Sequence, residues 1–87
     1  LFIDKEFPIV DVEEGRAKLK GCVGAFILRL PNGDTFKAKL KATDAYLKEL
    51  FENPVLWKNK MATVQYVRLT KYGVPKPAVA VAIRDYE

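Results

Sequence analysis

The 87 residues contain no histidine and a single cysteine, Cys22. Without histidine, the chain has no Cys/His zinc site and no Ser–His or Cys–His nucleophile of its own. One cysteine excludes an internal disulfide and suits a reducing, intracellular setting. It lies in the apolar run "GCVGAFIL" and reads as a small core residue, not a nucleophile. Nothing approaches the run of about 18 apolar residues that spans a membrane. The opening "LFIDKEFPIV" lacks a charged-then-apolar signal pattern. No metal-ligand spacing and no G-x-x-x-x-G-K-[ST] phosphate loop occurs. Glu13 and Glu14 are strand neighbours facing opposite ways, which makes a poor acid–base pair. No complete active site, repeat or low-complexity segment is legible.

What is present is one small domain's worth of apolar residues, 49% of the chain. Charge is unevenly spread beneath a net +4. Residues 1–14 hold five acids (Asp4, Glu6, Asp11, Glu13, Glu14) and one base. Residues 15–84 hold fourteen bases against four acids, a cationic body that favours a polyanion such as nucleic acid. The chain opens at Leu1, not methionine, which raises the expectation that it was cut from a longer protein.

Alternation and turn chemistry predict five strands and a helix. "FPIVDVEEG" (7–15) reads as the first strand and "CVGAFILRL" (22–30) as the second, with Gly21 and Gly24 allowing a bulge or bend. "PNGD" (31–34) is a hairpin turn: Pro31 presets φ and Gly33 supplies positive φ. A third strand follows over 35–41. Thr43 or Asp44 caps a helix over 43–52 whose buried stripe is Leu47, Leu50 and Phe51, and Pro54 closes it. "MATVQYVRL" (61–69) is the fourth strand, "TKYGVPKP" a loop, and "AVAVAIRD" (78–85) a buried fifth strand with Val79, Val81 and Ile83 on one face. All-β with one helix between strands three and four fits a five-stranded Greek-key OB-fold barrel. An SH3-like barrel has five strands too but needs no such helix.

The third strand, "TFKAKL" into Lys41, alternates Phe36, Ala38 and Leu40 with Lys37, Lys39 and Lys41. Alternate side chains point to opposite faces, so three ammonium groups share one side. Such a row costs repulsion unless something anionic meets it. "RAKLKG" repeats the spacing with Arg16, Lys18 and Lys20, and placed next to the lysine strand it would extend the patch to six charges. Binders of single strands stack bases on aromatics. Phe36 lies opposite the lysines, Phe26 and Tyr66 read as core, and Tyr72 and Trp57 are the aromatics that read as available. Charge without stacking fits contacts to duplex phosphates.

In order and spacing, "FPIVDVEEG", "KGCVGAFILRLPNGDTFKA", "TDAYLKELFENP", "MATVQYVRLTKYGVPKP" and the closing "IRDYE" resemble the C-terminal OB domain of ATP-dependent DNA ligases of the small bacterial and phage type. Lys76 stands where that family commonly has arginine. The resemblance implies one OB domain over 1–87 from a two-domain enzyme, beside a nucleotidyltransferase domain carrying the K-x-D-G lysine that this chain lacks. It implies ATP and a divalent cation, Mg, in the full enzyme, with none bound by this domain alone. The implied partners are nicked double-stranded DNA and the nucleotidyltransferase domain, in a monomeric, cytoplasmic protein of a bacterial or phage-infected cell. Arg84, with Asp85, would lie in the terminal motif that helps orient pyrophosphate during enzyme adenylation. Arg16, Lys18, Lys20, Lys37, Lys39, Lys41 and Lys76 would face DNA. The alternatives are a free-standing, non-catalytic OB module for single-stranded nucleic acid, and a structural domain whose charge only keeps it soluble.

Overall fold

The computed structural model describes residues 2–17 and 20–84. Its elements are β1 (Ile3–Glu14), β2 (Val23–Arg29), β3 (Thr35–Leu40), α1 (Asp44–Glu52), β4 (Met61–Tyr66), the short β5 (Arg68–Leu69) and β6 (Pro75–Lys76), and β7 (Val79–Arg84). Five strands close a barrel in the order β1-β2-β3-β7-β4, while β5 and β6 form a separate hairpin. Every barrel pairing is antiparallel except β3 with β7, joined in parallel at Lys39–Val79 and Leu40–Ala80. With α1 between β3 and β4, this is the OB-fold.

Local chemistry explains most of these elements. At the β2–β3 turn, Gly33 takes φ +94° and its N–H donates to Leu30 O at 2.9 Å; Asn32 Oδ1 accepts from Asp34 N at 2.9 Å. Thr43 is the cap of α1, its Oγ1 accepting from Tyr46 N at 3.2 Å. Leu47 and Leu50 bury the inner stripe of α1, with Phe51 half-buried. Pro54 starts a single 3-10 turn after the helix. The core gathers Phe26, Leu28, Val23 and Val64 from the barrel and Leu50 from the helix.

Three expectations need correction. β1 begins at Ile3, not near residue 7, because residues 3–8 pair with β4 before the strand crosses to β2. The long fourth strand breaks at Val67, and the expected loop contains a hairpin turning at Gly73, φ +81°. In β7 the fully buried residue is Ala80, whereas Val79, Val81 and Ile83 are half-buried. The register explains it: Ala62 faces Ile83 and Val64 faces Ala80, so an irregular step at Val81 puts residues three apart on the same inner face. Between β1 and β2, Ala17 has φ +54°, and Lys20 N bonds back to Ala17 O at 3.1 Å.

Candidate nucleic-acid interface

Strand β3 separates its two kinds of residue as its alternation demands. Phe36, Ala38 and Leu40 are buried, and Lys37 and Lys39 are exposed on the opposite face. Lys41 sits one residue beyond the strand, exposed, its N–H donating to Ala80 O at 2.8 Å. The lysine row is therefore carried on backbone fixed from both sides, by β2 and by β7.

The neighbours of that row differ from the sequence expectation. Its flanking strands are β2 and β7, so Arg16 and Lys20 do not extend it as a parallel row. Lys18 and Asp85 lie outside the described residues. Arg16 and Lys39 do meet around a groove of about 310 Å³ lined also by Glu13, Glu14, Gly15, Gly24 and Ala25. Lys20 is exposed in the connection, next to Gly21, whose N–H donates to Glu14 Oε2 at 2.9 Å. Lys76 is on the β5–β6 hairpin opposite Arg68, an element unpaired with β3.

One acidic partner was not foreseen. Lys37 Nζ lies 2.6 Å from Glu13 Oε2. By register, Glu13 stands opposite Ala25 and Lys37 opposite Ile27, so the two side chains bridge over β2. Adjacent strands are about 4.8 Å apart, and two such steps are within reach of a lysine and a glutamate together. The hydrogen bond and charge of Lys37, with a smaller effect from Arg16, hold the Glu13 carboxyl below its ordinary range. Among the described residues, no carboxylate contacts Lys39 or Lys41. The signal for this pairing was the outward alternation of Asp11 and Glu13, which means nothing until β1 is known to flank β2.

Arg84 forms a second cationic point. Its Nε donates to Thr63 Oγ1 at 3.2 Å, and the Thr63 hydroxyl faces Glu6 Oε2 at 3.5 Å. Thr63 is 5% exposed, which makes it a buried anchor for an exposed guanidinium. β7 meets β3 at Val79 and Ala80, so Arg84 is roughly 15 Å further along, at about 3.3 Å per residue. The structure thus separates Arg84 from the lysine row.

The one aromatic of β3, Phe36, is buried, and the exposed aromatics among the described residues are Phe2, Tyr46 and Tyr72. Trp57 is buried, its Nε1 donating to Leu50 O at 3.1 Å, and is removed from the list of platforms. Tyr72 is exposed on the hairpin, with Lys71 Nζ 5.1 Å from its ring centroid. It borders an apolar hollow of about 250 Å³ shared with Lys5, Phe7, Leu30, Pro31 and Leu69. Among the described residues there is no cluster of three metal-ligating groups, and no helix is long and apolar enough to cross a membrane.

Comparison with known proteins agrees with this geometry. Residues 14–84 match the family described as a DNA ligase OB-like domain. No curated protein matches the chain. Among solved structures, a Lig E DNA ligase, described as binding DNA with a minimal scaffold, superposes with a TM-score of 0.79 at 24% identity, over 97% of this chain and 31% of its own. Chlorella virus DNA ligase-adenylate superposes with a TM-score of 0.79 at 18% identity, over 99% of this chain and 32% of its own. The chain therefore spans about a third of the length of these structures, and at such identities the likeness is one of fold.

Proposed function

Because the chain belongs to the DNA ligase OB-like domain family, we propose that it is the OB domain of an ATP-dependent DNA ligase. In this reading it grips nicked duplex DNA through phosphates and assists adenylation of the enzyme. The observation that carries it is the exposed lysine row on β3, backed by buried Phe36, Ala38 and Leu40, with the strand's one aromatic thus turned away from the lysines. A backbone-reading surface needs fixed cations and no base readout, and the rigid β3 supplies them.

ATP and Mg would be held by the nucleotidyltransferase domain of a longer, monomeric, cytoplasmic chain. The donors of this domain suit phosphate oxygens better than a metal, since its acids are scattered over β1, the β2–β3 turn and α1 and no three of them cluster among the described residues. Bound by the nucleotidyltransferase domain, the nucleotide would supply the adenylyl group passed to that domain's lysine, with pyrophosphate as the leaving group. Arg84 would supply positive charge toward the leaving pyrophosphate, its Nε tethered by Thr63 while the remaining N–H donors reach outward. Phosphoryl transfer asks mainly for such positioning and charge neutralisation.

The test is binding of a nicked duplex over 50–200 mM salt, concentrations at which phosphate contacts dominate. Replacing Lys39 and Lys41 by alanine should weaken binding with little sequence dependence and lower the salt slope by roughly 1.8, at about 0.9 per phosphate. An unchanged slope, with single strands binding through Tyr72 instead, would favour the free-standing module. Arg84→Ala in the two-domain enzyme should slow adenylation more than sealing of pre-adenylated nicks.

A further inference from the structure

We propose that Glu13 is a built-in stand-in for a DNA phosphate: its carboxylate occupies Lys37, and a duplex must displace it to use that lysine. The inference rests on the duplex-binding reading above. Its basis is geometric. Glu13 Oε2 lies 2.6 Å from Lys37 Nζ, with the side chains 47% and 62% exposed, so an incoming phosphate can reach the same ammonium. A carboxylate and a phosphodiester each present one negative charge on two equivalent oxygens, and an ammonium donates to either in the same way. Lys39 and Lys41, in the same row, have no such carboxylate among the described residues. The row is thus graded: two cations ready for DNA and one already engaged. Arg16 and Lys39 share the groove beside Glu13, so the acid stands at the border of the basic face and not outside it.

Breaking an exposed ion pair shifts an equilibrium by roughly 1.4- to 5-fold. Glu13→Gln should therefore tighten binding of a nicked duplex by about that factor at 0.1 M salt, a range where exposed pairs retain part of their strength. The gain should depend on Lys37, so in a Lys37→Met background the same substitution should yield distinctly less. Asp11→Asn is the control, because Asp11 is also exposed on β1 but its Oδ1 accepts from Val12 N at 2.8 Å. General charge removal predicts equal gains from Asp11→Asn and Glu13→Gln; the stand-in predicts a gain from Glu13→Gln alone that Lys37→Met distinctly reduces. Equal gains, or a Glu13→Gln gain undiminished without Lys37, overturn the proposal while leaving duplex binding intact. Failure of wild type and Glu13→Gln alike to bind duplex at low salt overturns the functional reading and this inference with it.

Discussion

Gly24 offers a sharp test of how β1 and β2 are fitted together. Glu13 pairs with Ala25 and Glu14 with Val23, which leaves Gly24 unmatched in the ladder. A Cβ at Gly24 would stand 2.7 Å from Gly15 Cα, 2.9 Å from Gly15 N and 3.3 Å from the Glu14 carbonyl carbon. All three are backbone atoms, so no side-chain rotation relieves the contact. Overpacking of this kind costs about 1–3 kcal/mol. Moving Gly15 aside also strains its N–H bond to Cys22 O, 2.9 Å long, worth about 1 kcal/mol. Against these, alanine restricts the unfolded chain and returns about 0.4–1 kcal/mol. The net expectation for Gly24→Ala is a loss of about 1–3 kcal/mol, or roughly 4–8 °C of melting temperature per kcal/mol for a domain of this size. Circular-dichroism melting, with urea unfolding as a check, measures it. A variant melting at or above wild type would refute the close approach of β2 to the Gly15 backbone.

Other outcomes follow from single contacts. Carbon NMR of the Glu13 carboxyl should show a midpoint below the usual glutamate value, moving up in Lys37→Met, with Arg16 keeping a small part of the depression. Because that value is lowered in the folded chain, the pair favours folding at neutral pH, and its contribution disappears as pH falls through the Glu13 titration. Thr43→Ala removes the acceptor for Tyr46 N and should cost about 1 kcal/mol in urea unfolding. Trp57→Phe keeps an apolar ring but leaves Leu50 O without its indole donor, and should cost about 1–3 kcal/mol by the same assay.

The lysine strand was readable because its alternation is strict over six residues and a "PNGD" turn fixes where it starts. The helix was readable because Thr43, the Leu47–Leu50 spacing and Pro54 agree with one another. Other features resisted for definite reasons. The bases at Arg16 and Lys20 have strand spacing, but Ala17 adopts φ +54° and ends any extended run. Ala80 and Ile83 share a face only because of the irregular step at Val81, which the local sequence does not announce. Trp57 is buried through a bond to Leu50 O seven residues back, a contact set by how the 3-10 turn folds under α1. The Glu13–Lys37 pair depends on strand order, and periodicity within one strand carries no information about its second neighbour.

The bulge in β1 has an architectural consequence. Ile9 pairs with Leu28 and Asp11 with Ile27, leaving Val10 as an extra residue where the strand exchanges one neighbour for another. Just before it, Pro8 pairs with Met61 and Ile9 N still bonds to Lys60 O at 3.0 Å, so this is the corner between two walls of the barrel. An extra residue at a corner resets the parity of everything after it. That is why Glu6 and Glu13, seven apart and out of phase in a regular strand, both point outward, one toward Thr63 and the other to Lys37. Deleting Val10 would keep each half of β1 facing as it does now, yet take away the bend that carries the strand from one wall to the next. The chain would then hold a correct inventory of contacts along each wall and lack the joint that lets the walls enclose a common interior.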